Sequence, residues 1–267
     1  YGDHNAAGVY YDRLSRIAVE QVKEAAAAWL EEDRMSIVRQ HPPAAGTGQR
    51  GKAGKTVPGT VIKTMELKNG GKLVTIPRPG LPLLDICITM PGGVIMESAE
   101  NSGITSLLCS LLTAGTTRWN ESELADYIDG NGLDVSVTCG NNSIVIRVNC
   151  RSDRFEAAME VLQSIMTESS FVAKALRREK TAMLENLKSR RLNPQNVASD
   201  KALEMLFGEH PYSRSAAGSE ASIEKITSAK LRRYYHSCLI RDKVVFAVAG
   251  AFDKNMVERR FEELTGA

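Results

Sequence analysis

The sequence predicts an α+β domain, a mostly antiparallel sheet with helices packed on one of its faces. Two observations carry that prediction. The stretch LDVSVTCGNNSIVIRVNC, Leu133 to Cys150, reads as a hairpin with one wholly apolar face, so one side of its sheet is buried and the other wet. The order of elements is strands, two helices, a hairpin, several helices, one strand and one helix.

Taken in order, Val9 to Glu32 reads as a helix, with Leu14, Ile17, Val22, Ala25, Ala26 and Trp29 along one stripe, and Met35 to Val38 as a short strand. His41-Pro42-Pro43 ends regular structure, and the next apolar residue larger than alanine is Val57. Residues 1–41 therefore read as the tail of a preceding unit, 42–59 as a linker and 60–267 as the compact domain. Gly46 to Ala53 in the linker imitates a phosphate-binding loop. It lacks the closing Ser or Thr, follows no apolar strand and is interrupted by Val57-Pro58, so nucleotide binding is not expected.

Beyond the linker, Val61 to Leu67 and Lys72 to Ile76 flank an Asn69-Gly70 turn, and Leu84, Ile86, Ile88 and Met90 alternate along a third strand. Gly103 to Thr116, GITSLLCSLLTAGT, is the central helix, its buried face made of Ile104, Leu107, Leu108, Leu111 and Leu112. Asn120, with Glu123 three residues on, caps a helix to Asp129. A two-residue turn at Asn141-Asn142 pairs Cys139 with Ile144, Val137 with Ile146, Val135 with Val148 and Leu133 with Cys150. This register keeps Cys139 and Cys150 too far apart for a disulfide. Its polar face carries Asp134, Ser136, Thr138, Arg147 and Asn149. Helices are then expected from Asp153, from about Val172 to Arg191, from Pro194 to near Phe207, from Thr227 to Ser237 and after Asp253, with Lys243 to Gly250 a buried strand.

Thirty-four basic and 32 acidic residues are interspersed along the 267, so charge marks no nucleic-acid or membrane partner. No apolar run approaches the roughly 18 residues of a membrane span. A soluble protein is expected, its compartment unassigned. The odd count of five cysteines, without a CxxC pair, argues against a disulfide framework. His210, before a proline, and His236, on a helix, read as turn and packing residues rather than ligands. Lys174 to Arg191 reads as a solvated helix face.

On the central helix, Ser106, Cys109 and Ser110 lie beside the apolar face. Two readings fit their spacing: small residues permitting close packing, or a metal-binding pattern that has lost its ligands. As a nucleophile, Cys109 would need a neighbouring histidine, and none stands at a recognisable position.

Gly103 to Thr116, the Asn131-Gly132 passage into the hairpin, FGEHPYSRSAAGSEASIEKIT from Phe207 to Thr227, the Tyr234-Tyr235 helix leading to IRD and the strand VVFAVAG together resemble the pitrilysin/insulinase family of zinc metallopeptidases, which includes the mitochondrial processing peptidase. The resemblance covers residues 60 to 267 nearly throughout. Residues 1 to 42 resemble the closing segment of another unit of that family. What the resemblance implies is a chain spanning the junction of a tandem protein. In catalytic members two histidines of H-x-x-E-H bind zinc, the glutamate between them activates water, and a later glutamate completes the ligands. Ser106 and Ser110 stand at the histidine positions and Cys109 at the base, while Glu179 or Glu185 lies near the last ligand, Glu185 being the vestigial candidate. Serine is a poor zinc ligand, so this domain is expected to be non-catalytic, with zinc in a separate active half. The resemblance implies a clamshell in which the inactive half forms chamber wall and contacts peptide, with Ser136, Thr138 and Arg147 as chamber candidates. The alternative is a structural or assembly subunit without proteolytic role.

Overall fold

The structure, a computed structural model, describes residues 16–21, 23, 24, 62–68 and 70–266. The chain divides into two units, residues 1–55 and 56–267. In the first, residues 19–21, 23 and 24 are helical. The rest of the expected first helix, the strand at Met35 to Val38 and the linker with its imitation phosphate loop lie outside the described residues.

The second unit carries a six-stranded sheet with the order β1-β2-β6-β3-β5-β4. Its strands are β1 (Lys63–Glu66), β2 (Lys72–Pro77), β3 (Leu83–Pro91), β4 (Asp134–Cys139), β5 (Ser143–Arg151) and β6 (Val245–Gly250). Every neighbouring pair is antiparallel except β2 and β6. This mixed α/β arrangement has the expected sheet. The hairpin register is also as expected: Cys139 faces Ile144, Val137 faces Ile146 and Val135 faces Val148. Period-two burial follows. Leu84, Ile86, Ile88 and Met90 of β3 and Ile144, Ile146 and Val148 of β5 are all buried, whereas Asp134, Ser136, Thr138 and Arg147 are exposed.

Eight α-helices of six or more residues follow in the described chain: α1 (Ile104–Leu111), α2 (Glu121–Gly130), α3 (Phe155–Thr167), α4 (Ala173–Arg191), α5 (Pro194–Phe207), α6 (Glu220–Lys225), α7 (Ser228–Cys238) and α8 (Lys254–Gly266). Their starts follow side-chain chemistry. Asn120 and Glu123 form a reciprocal capping box on α2, with bonds of 3.0 and 2.8 Å. Thr227 accepts from Lys230 N on α7, and Asp253 from Met256 N on α8. One expected start moves. Asp153 sits in a 3-10 turn, Ser152–Arg154, where Arg151 holds its carboxylate at 3.0 Å, and the α-helix proper begins at Phe155. The short helix α6 was not anticipated.

The apolar faces of α1, α3, α7 and α8 meet the buried side of the sheet in one core. Leu107, Leu108 and Leu112 of the central helix stretch are fully buried, as are Phe246 and Phe261, whose rings lie 5.2 Å apart. At roughly 1.5 to 3 kcal/mol for each large apolar side chain buried, this core is the main stabilising contribution. The basic residues of α4 are mostly engaged: Arg178 with Glu121 at 2.8 Å, Arg190 with Asp200 at 3.0 Å, and Arg191 with Glu220 at 2.7 Å. Lys180 donates to the carbonyls of Glu224 and Ile226 at the end of α6. This face is a set of inter-helix ties rather than a free cationic patch. No described helix is long and apolar enough to cross a membrane.

Candidate functional site

The site is built on α1, which packs against β4, α4 and α7. Its start lacks a capping side chain, because the N-cap residue is Gly103. Glu97 substitutes. Its buried carboxylate accepts from Gly103 N at 2.9 Å and Thr105 N at 3.0 Å, placing a negative charge where the helix leaves unpaired N–H groups. Arg214 in turn donates to the Glu97 carbonyl.

The loop Ser215 to Gly218 lies across this start. Gly218 has φ of 75°, and a Cβ there would stand 2.4 Å from the Ser102 carbonyl oxygen, so only glycine permits the approach. Ser106 fastens the loop by donating from Oγ to the Ala216 carbonyl at 2.7 Å. Cys139 Sγ lies 3.7 Å from the same oxygen. Cys109 lies one helical turn beyond Ser106. Its interaction with Cys139 holds the Cys139 thiol below its ordinary value, against the opposing effect of partial burial, and pushes Cys109 up, with burial adding to the rise. Ser110 is exposed, with Oγ bonded to the Leu107 carbonyl of its own helix at 3.0 Å.

Behind Cys109, Thr105 Oγ1 lies 2.6 Å from Tyr234 Oη. Burial pushes the Tyr234 and Tyr235 phenols up, and the Cys238 thiol up to about 11.

These positions do not fit zinc. A zinc centre needs about three protein ligands among Cys, His, Asp and Glu, and no three such side chains converge among the described residues. Ser106 is committed to a carbonyl and Ser110 to its own helix. Glu185 is exposed on α4, while Glu179 is paired with Arg178. His210 caps a turn by accepting from Tyr212 N, and His236 is exposed on α7.

The remaining candidates lie elsewhere. By strand register Ser136 and Arg147 share a row on the sheet's other face, next to Thr138, and Arg147 reaches Asp85 on β3 at 3.3 Å. The structure therefore groups Ser136, Thr138 and Arg147, and sets them on the opposite side of β4 from Ser106 and Cys109. An open cleft of about 590 Å³ adjoins them, lined in part by Arg78, Leu83, Asp85, Asp134 and Asn149. Cys139, Glu97, Tyr234 and the Ser215 to Gly218 loop were missed by sequence reasoning. Only Cys139 left a signal, as an inward-facing residue at the end of β4.

The sequence model of the family described as Insulinase (Peptidase family M16) matches residues 79–220, just over half of the chain. The chain belongs to this family. Among M16 relatives it is 23% identical over 198 residues to an uncharacterized zinc protease, YmxG, of Bacillus subtilis, covering 74% of this chain and 48% of that protein. It is also 23% identical over 204 residues to a probable mitochondrial-processing peptidase subunit beta of Schizosaccharomyces pombe, covering 76% and 45%. The chain thus spans about half the length of the curated relatives it matches. Among solved structures, a peptidase M16 inactive domain from Pseudomonas fluorescens superposes with a TM-score of 0.74 at 23% identity, over 77% of this chain and 50% of that one. The periplasmic protease PqqL of Escherichia coli gives 0.68 at 16%, over 76% and 23%. These likenesses establish the M16 domain fold.

Proposed function

We propose that residues 60–267 are the non-catalytic half of a two-part M16 zinc peptidase, with residues 1–41 the close of a preceding unit and 42–59 the linker. Zinc and cleavage belong to an active half, in the same polypeptide or in a partner subunit. One observation carries this reading: Ser106 and Ser110 on α1 are spent on structure and Cys109 is buried in the core, while β4 beside them ends the sheet.

An edge strand offers unpaired N–H and C=O groups to an extended peptide. A peptide added to β4 would meet Val135, Val137 and Cys139 on one side, and Ser136 and Thr138 on the other. The cleft near Asp85 and Asn149 would continue the wall of the chamber. The inactive M16 domain among the structural neighbours supports the pairing of an inactive with an active half, and the zinc protease and processing-peptidase relatives support peptide as the substrate class.

The test is chelator-sensitive peptide cleavage by the intact assembly carrying Ser136→Arg or Thr138→Arg. The expected result is a several-fold rise in KM with kcat little changed, because these residues would hold substrate without touching the reacting atoms. An unchanged KM in a folded variant would refute the chamber role. Stoichiometric zinc bound by the 267-residue chain alone would overturn the non-catalytic assignment. Absence of cleavage by a metal-loaded assembly would favour the assembly-subunit reading.

A further inference from the structure

We propose that the groove between α7 and the 3-10 turn Ala99–Asn101 is a binding site for an α-carboxylate carried beside an apolar side chain. That chemistry is shared by the C-terminal residue of a peptide and a free apolar amino acid. The groove lies on the helical side of the domain, so the inference is independent of any peptide on β4 or on the open face of the sheet.

A cavity of about 380 Å³ opens there, at the small end of the roughly 300–1,000 Å³ of small-ligand sites. Its apolar lining comes from Ile104 at the start of α1 and from Tyr234, 1% and 7% exposed, with half-buried Met96 beside them. Two cations, Lys230 and Arg233, line it from α7. Three positions apart on one helix, they are neighbours and repel each other. Lys230 also stands in the first turn, where the helix dipole favours an acid and α7 has none. Lys230 N–H is used by the Thr227 cap, but neither the ammonium nor the Arg233 guanidinium has an ion-pair or hydrogen-bond partner among the described residues. Arg178, Arg190 and Arg191 of α4 and Arg232 of α7, by contrast, are all engaged.

The 3-10 turn contributes Glu100 and Asn101. Ser98 N donates to Asn101 Oδ1 at 2.6 Å, which orients the amide and leaves its NH2 as a donor. Glu100 is exposed and supplies an acceptor. This set matches the ligand group by group. A carboxylate accepts from the Arg233 fork, with Lys230 as a second positive charge, and relieves the repulsion between the two. The adjoining apolar side chain covers Ile104, Met96 and Tyr234. Glu100 accepts from the N–H of the same residue in a peptide, or from the ammonium of a free amino acid, where opposite charges strengthen the bond.

The experiment titrates the 267-residue chain, isotope-labelled at its methionine methyls, at low salt. The probes are acetyl-Ala-Ala-Leu, the same peptide as its C-terminal amide, and free leucine. The acid should move the Met96 methyl signal, assigned with Met96→Leu, and bind at least about tenfold more tightly than the amide, because the amide forfeits hydrogen bonds to a charge. Added salt should weaken the acid and leave the amide unaltered. Lys230→Gln and Arg233→Gln, at exposed positions that the fold does not depend on, should each weaken the acid about threefold or more. The preference of the parent chain separates the two sources. Tighter binding of leucine, lost in Glu100→Gln, assigns the site to free amino acids, and tighter binding of the acetylated acid assigns it to peptide C-termini. Equal affinity for acid and amide would overturn the proposal. So would a Met96 signal unmoved at about 10 mM ligand, or Lys230→Gln and Arg233→Gln chains that bind as the parent does.

Discussion

Replacing Glu97 with glutamine removes one charge and keeps the shape, so it isolates the carboxylate that starts the central helix. In the native chain both carboxylate oxygens accept from backbone N–H groups, those of Gly103 and Thr105, in a site where Glu97 is only 5% exposed. A glutamine oxygen can keep one of these bonds as a neutral one. Its NH2 then faces the other N–H, donor against donor. Hydrogen bonds to charged groups contribute about 1.5–3 kcal/mol each and neutral ones about 1, so the substitution should cost about 2–4 kcal/mol. For a domain of this size that corresponds to a fall in Tm of roughly 4–16 °C, with the middle of the range expected. Thermal unfolding followed by circular dichroism at neutral pH reads it directly. Glu97→Ala, which leaves both donors without a partner, should fall further. A Glu97→Gln chain melting within about 1 °C of the parent would refute the idea that this carboxylate, rather than apolar packing alone, fixes the start of α1.

Ser106→Ala should cost about 1 kcal/mol in urea unfolding, because a tie between α1 and the loop 110 positions away is lost, whereas Ser110→Ala, whose bond stays within its own helix, should stay within about 0.5 kcal/mol. Equal effects would contradict their different engagements. Gly218→Ala places a Cβ 2.4 Å from the Ser102 carbonyl at φ of 75°, and should destabilise by more than about 1 kcal/mol and raise proteolysis between Ser213 and Gly218. Alkaline stability follows from the buried thiols Cys150 and Cys238, each raised from 9.0 to about 11 by burial. Between those values the folded chain holds protons that the unfolded chain has released, so their contribution is complete below pH 9 and is lost as pH rises toward 11. Urea midpoints measured from pH 8 to 11 should fall, and Cys150→Ala should make the fall shallower.

The parts of this structure legible in the sequence are those decided by periodicity and by local hydrogen bonding. The β4–β5 register followed from one apolar face, because a slip of one residue would bury Asp134 and Arg147. The α2 cap followed from Asn120 and Glu123, which need only each other. Long-range placement was less accessible. Strand β6 enters between β2 and β3, 173 positions after β2 begins at Lys72 and next to it in the sheet, and KVVFAVAG contains nothing that names its neighbours. The same limit applies at the site. That Ser106 and Ser110 are poor metal ligands could be read from the residue types, but what these side chains hold could not. Ser106 is used by a loop 110 positions away and Thr105 by Tyr234 from α7, the second in a buried place where an unpaired polar group costs about 1–3 kcal/mol. A histidine introduced at 106 would therefore have to break the Ala216 bond before it could offer a nitrogen to a metal. The serine that stands there ties the loop to α1 and lies against the end of β4.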